Sequence, residues 1–349
     1  MIWEKQSQGV GDNSNAVQVS GNLIVNNSGC DPKEILGLIR EEIQGQMKLL
    51  REITRERLED FEERIFKKIS ETDKVNTQAF SDPDFVQTVE GAFRAHARNG
   101  DESVADTLID LIARRSQCNK RDRLALSINQ AVQIAADLTI EEFSALAFIM
   151  VVRHASLPAL DKNGLSDQVR KHIIPLIKNL PSSRSSFLYM QSMRCGIYND
   201  SFTTWQVNAW SEEYKSIFND GFDIAGFDRL SDATKYIAGS GNIVKRSWVD
   251  NSKLVFNFKN DAMAIEFFKA AQIKEDDRRT IIELQNSGSW KGDLKQRSKI
   301  LMPEIFSVLE AWEQSNVGAF QISTLGMAIG HAYLRHATGF DADLKIWIK

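Results

Sequence analysis

The chain has 349 residues, 42% of them hydrophobic, with 43 Lys and Arg against 47 Asp and Glu. That is apolar material for more than one core, and a net charge of −4 gives the chain as a whole no pull toward nucleic acid or an acidic membrane. Three widely spaced cysteines, Cys30, Cys118 and Cys195, exclude a disulfide framework and fit a reducing compartment, so the expected location is cytoplasmic. The first residues lack the basic and apolar regions of a secretory signal. The longest apolar run, residues 143–152, is about half of what a bilayer requires, so no membrane span is expected.

The first thirty residues read as a β-rich leader. Val17 and Val19 alternate with polar neighbours, as do Leu23 and Val25, and Ser20-Gly21-Asn22 separates the two runs. Period-two alternation between Gly/Asn turns marks short strands with one buried face. Two such strands are marginal alone in water. Stacking the same units from several chains, as in a β-solenoid, buries the valines and pairs the edges. The alternatives are a polar tail, or a hairpin lying against the body.

Residues 31–75 predict one long amphipathic, coiled-coil-like helix, opened by Asp31 as a cap and Pro32 in its first turn. Its apolar positions recur every eleven residues: Leu36, Ile39 and Ile43, then Met47 and Leu50, then Leu58, Phe61 and Ile65, then Ile69. A heptad starting at Leu36 places Arg57 and Asp60 in the seam, whereas the eleven-residue period implies a straight or slightly right-handed bundle. The charges on the other faces alternate in sign, as on a solvated surface. The seam therefore predicts self-association into a homo-oligomer, the alternative being a helix laid on its own body.

Residues 76–241 predict a helical domain, in which Thr139 and Glu142 form a capping box ahead of the apolar run. Residues 242–349 predict a small α+β domain: strands at 243–248, 254–258, 320–322 and 344–348 build a three- or four-stranded sheet covered by helices. Gly326 and Gly330, four apart on one helix face, permit close approach of a second backbone. The fold class expected is mainly α, with that α+β domain at the C-terminus and the short β leader and long helix at the N-terminus.

Signals of chemistry are sparse. No HExxH, P-loop, GxSxG or zinc-ribbon spacing occurs, so no metal or cofactor is expected. His331, His336, Asp341 and Asp343 are the weak catalytic candidates, on which a metal-dependent nuclease or nucleotide hydrolase would rest. The two histidines are five apart on one helix and do not converge as an i, i+4 pair does. Arg114, Arg115, Lys120, Arg121 and Arg123 form a local basic cluster that a phosphate backbone could grip, an alternative not favoured because acidic residues lie nearby. Trp290, in a Gly/Ser loop beside Lys291, either stacks on a ligand or plugs its own domain.

Both ends carry a resemblance. The opening KQSQGVGDNSNAVQVSGNLIV resembles the GDNS-type leader of assorted bacterial proteins, some in conflict and defence systems. The tail LGMAIGHAYLRHATGFDADLKIWIK is similar to the end of an uncharacterised family of bacterial helical proteins with such leaders, in which a small-residue helix precedes an acidic-Leu-x-Ile-Trp-Ile strand. The resemblance implies bacterial cytoplasm, leader-driven assembly, a protein partner or phage component, and a role in antiphage defence. It carries no catalytic residue.

Overall fold

The structure, a computed structural model, describes residues 18–20, 22–24, 32–72, 75–118, 121–202, 207–241, 243–290 and 294–349. It is mainly helical, and it resolves into two compact units, Met1–Asp60 and Phe61–Lys349.

In the first unit, β1 (Gln18–Ser20) pairs antiparallel with β2 (Asn22–Ile24), Val19 opposite Leu23. Val17 and Val25 lie outside the described residues. Helix α1 (Pro32–Ser70) carries Leu36, Ile39, Ile43 and Leu50 and ends on Lys67 and Lys68, which suit the negative pole of its dipole. The division at 60/61 falls inside α1, ahead of the boundary expected at 75/76. From Phe61 onward α1 belongs to the second unit: Phe61 is fully buried, edge-on to Phe93 at 5.3 Å and stacked on His96 at 4.6 Å.

Caps legible in the sequence start the next helices. They are α2 (Pro83–Asn99) behind Asp82, α3 (Glu102–Arg115) behind Asp101, and α4 (Arg123–Ala135) behind Asp122. Then comes α5 (Ile140–Ile149), whose capping box is Thr139 with Glu142. Helix α5 is buried on every side from Glu142 and continues as a π-turn, Met150–His154. It is followed by α6 (Lys162–His172), α7 (Ile174–Ile177), α8 (Arg184–Ser192) and a strand missed in the sequence, β3 (Gly196–Tyr198).

After α9 (Val207–Glu213) the chain builds a small core of its own from Phe222, Leu230, Phe256, Phe258, Phe268 and Ile281. This core gathers α10 (Ile224–Phe227), α11 (Asp232–Ser240), the hairpin β4 (Val244–Arg246) and β5 (Leu254–Phe256), α12 (Asp261–Ala270) and α13 (Glu275–Ser287). The Asp250 side chain closes the hairpin by accepting from the Ser252 N–H at 3.0 Å.

The chain then returns to the main core through α14 (Leu294–Leu301), α15 (Pro303–Gln314), β6 (Phe320–Ile322) and α16 (Thr324–Thr338). Helix α16 packs on α5, α3 and α4, and β6 pairs with β3. Within the span 242–349, the buried apolar residues from Phe256 to Leu284 share a satellite core with Phe222 and Leu230, and those from Trp290 onward join the main core. Among the described residues the strands occur as three separate pairs, and no three- or four-stranded sheet forms. The expected strand at 344–348 is a 3₁₀ turn, Leu344–Ile346. Leu344 and Ile348 are buried and Ile346 is exposed, so the apolar spacing used is four, not two.

Candidate functional site

The end of α1, the C-terminal turns of α3 and α16, and the segment after α16 enclose a cleft of about 550 Å³ on the second unit. Gly339, in the left-handed conformation at φ +68°, ends α16 and turns the chain back across the cleft. The walls carry Lys68, Glu71 and Thr72 on one side, with Arg114 and Gln117 from α3 and its end. Arg335 and residues 341–343, with Lys345, close the other side.

The floor is built around Asp110, a carboxylate almost without solvent exposure. Arg114 Nε lies 3.3 Å from its Oδ2, Arg335 Nη1 3.2 Å from its Oδ1, and Lys68 Nζ 3.9 Å from that same oxygen. A buried carboxylate needs such partners, because desolvation of an unpaired charge costs several kcal/mol. Arg114 also donates through Nη2 to the Ala342 carbonyl at 3.3 Å. Burial lowers the Arg114 pKa from its usual range and Asp110 opposes that shift, with Arg335 adding to the lowering.

The four weak catalytic candidates do not form one centre. His331 is fully buried; its Nε2–H donates to the Ala342 carbonyl at 2.8 Å and its Nδ1 has no partner among the described residues. Burial and the Arg114 charge push its pKa down to about 3. It is a neutral ring holding the tail against α16. His336 Nε2 lies 2.8 Å from Asp106, which also takes Arg64. Burial raises Asp106, but His336 and Arg64 prevail and hold it below the usual carboxylate range. Asp341 extends into solvent, and Asp343 caps the 3₁₀ turn by accepting from the Lys345 N–H at 3.0 Å. Among the described residues no group of three or more His, Cys, Asp or Glu is placed to hold a metal ion.

A model of an uncharacterised family, described as ":-like", matches residues 34–348. The chain belongs to that family. The match takes in every residue of the cleft and starts beyond the leader. No curated protein matches the chain, and no solved structure does.

The basic cluster is divided. Arg114 enters the cleft, while Arg115 is buried, donating to Asn129 Oδ1 at 2.8 Å and Asp82 Oδ2 at 2.9 Å. That hydrogen bond holds Asp82 below the usual carboxylate range. Arg115 is therefore an anchor between α2 and α3, buried away from any phosphate backbone. Arg121 and Arg123 are exposed, and Lys120 lies outside the described residues. Trp290 plugs its own unit: it is buried, donates Nε1–H to Asp220 at 2.9 Å, and lies under the Arg297 guanidinium.

The eleven-residue seam also divides. Phe61 and Ile65 are buried and Ile69 packs against the same core, so these three are structural within the chain and not available to a second copy. Met47 is 46% exposed and Leu58 half-buried. Residues that sequence reasoning missed are Lys68, Asp110, Arg335 and Lys345. Lys68 read as one more charge on a solvated helix face, and only the three-dimensional convergence on Asp110 distinguishes it.

Proposed function

We propose that this protein is a homo-oligomeric interaction protein, in which the leader and the first half of α1 gather copies of the helical body. The observation that carries this reading is the burial along α1. Of the described side chains at 47 and 51–60, none is buried, although Met47, Ile53 and Leu58 are apolar. Helical stability in water comes mainly from packing an apolar face. The seam Leu36, Ile39, Ile43, Met47, Leu50 and Leu58 repeats itself, so the partner that fits it is a second copy. The hairpin of β1 and β2, with Val19 opposite Leu23, is too small to stand alone and gains from the same association.

The leader's resemblance supports a bacterial cytoplasmic setting and a sensor or effector role in antiphage defence, with the second unit as the part that meets a partner. No helix among the described residues is long and apolar enough to cross a membrane. A metal-dependent nuclease or nucleotide hydrolase is not favoured, because His331 is sealed, His336 is paired and Asp343 is a cap.

Light scattering on the full chain at micromolar concentration tests the reading. The expected mass is a multiple of the monomer, falling in the Leu50→Asp variant while the body keeps its cooperative melt. A monomeric wild-type protein removes the proposal.

A further inference from the structure

Assembly makes no use of the charged cleft, and the inference drawn from it does not rest on assembly. Three cations, Lys68, Arg114 and Arg335, surround the single buried carboxylate Asp110. The neighbouring carboxylates lie at the rim or are paired elsewhere. Asp106 is taken by Arg64 and His336, whereas Asp343, exposed and capping the 3₁₀ turn, keeps its charge and acts on Arg114, and the Asp341 side chain is 90% exposed with Arg335 Nη2 4.0 Å away. Glu71 is exposed on the wall. The three cations around Asp110 thus leave about two positive charges in excess at the floor, where water screens them less than on an open surface, while the exposed rim carries Glu71, Asp341 and Asp343 against Lys345.

Two of the donors are held only by long ion pairs, Lys68 Nζ at 3.9 Å from Asp110 and Arg335 Nη2 at 4.0 Å from Asp341. Among the described residues, no acceptor lies within hydrogen-bonding distance of Lys68 Nζ or Arg335 Nη2. With Arg335 Nη1 on Asp110 and Arg114 donating to Asp110 and the Ala342 carbonyl, it is Arg335 Nη2 and the Lys68 ammonium that can offer charge-assisted hydrogen bonds to phosphoryl oxygens. Among the described residues lining the cleft none is aromatic, so none of them stacks on a base. Its volume of about 550 Å³ falls in the range of small-molecule sites.

We propose that the cleft binds a small phosphate-bearing anion of about two to three negative charges, a phosphomonoester or diphosphate, held between Lys68, Arg114 and Arg335. Recognition is of the phosphoryl group, and Asp341 at the rim opposes it.

Calorimetric titration of inorganic pyrophosphate into the full chain, at fixed low ionic strength and without divalent metal, tests this. Chloride serves as the control, with ATP and a single-stranded oligonucleotide as further arms. Saturable binding with Kd below about 1 mM is expected. Lys68→Ala should weaken it about tenfold, and Asp341→Asn should tighten it roughly threefold. Lys68 is partly exposed and makes no hydrogen bond through Nζ to a described residue, so its truncation leaves the body folded; a melt verifies this. Should that variant misfold, Lys345→Ala, exposed at the rim, reads the same weakening. Absence of saturable heat, or equal binding by wild type and the lysine variant, overturns the proposal. Tighter binding of the oligonucleotide than of pyrophosphate overturns the small-molecule assignment and makes the cleft a nucleic-acid contact.

Discussion

Gly330 of α16 lies against the backbone of α5 so closely that a β-carbon on it would sit 2.7 Å from the carbonyl carbon and oxygen of Leu146. The obstacle is main chain on a helix that is buried all round, and it cannot swing aside. A β-carbon on Gly326, one turn earlier, would likewise collide with the Cys195 carbonyl oxygen. The pair lets the last long helix enter the centre of the second unit.

Gly330→Ala is therefore expected to destabilise the protein by about 2–4 kcal/mol, since overpacking against backbone must move a helix. Gly239→Ala is the matched control. It lies in α11 with nothing within 4 Å of the added methyl, and should be neutral or stabilising by about 0.5–1 kcal/mol. Thermal melts of the two variants decide it; equal melting temperatures would show that α16 is not tightly seated on α5.

Phe61 and Leu50 stand at related positions of one eleven-residue pattern, yet they should respond differently to a charge. Phe61 is fully buried against Phe93 and His96, so Phe61→Asp places a carboxylate in the core and should cost at least about 3–5 kcal/mol, unfolding the second unit. Circular dichroism on heating reads the loss directly. If Phe61→Asp instead melts like wild type while the oligomer dissociates, the seam continues into the body's surface and the boundary at Asp60 is misplaced.

What was legible in the sequence follows from how local each signal is. The capping box of Thr139 and Glu142, the Asp caps of α2 and α3, the hairpin around Asp250 and the close-packing glycines are all written within a few residues. Strand β3 is three residues long and finds its partner beyond residue 319, so no periodicity announces it. The alternation of Leu344, Ile346 and Ile348 matched a strand until Gly339 set the approach and Trp347 tied the turn to the His154 carbonyl at 2.7 Å. The cleft was invisible for a related reason. Arg335 meets Asp110 across 225 residues of chain, and each of the charges involved looks ordinary on its own helix.

Acid sensitivity should carry the mark of buried histidines. Burial lowers His331 to about 3, and it lowers His154 and His172 as well, with Arg153 and Lys171 respectively adding to the effect. In the unfolded chain these rings take protons near pH 6.5, whereas the folded chain refuses them. The unfolded state then binds more protons below that pH, so stability is full above it and falls as pH drops toward the folded values. Each such ring contributes at most about 1.4 kcal/mol per pH unit. Carboxylates held low, such as Asp82 and Asp106, add to the loss only nearer pH 4, so the interval from pH 7 to 5 isolates the imidazoles. His331→Gln keeps a donor for the Ala342 carbonyl and removes the titration, and Arg114 and Arg335, the charges facing the ring, stay charged throughout. Denaturant melts across that interval should show a shallower decline in the variant, by up to one proton. Identical slopes would mean that the ring is solvated in the folded protein and that the tail does not seal it.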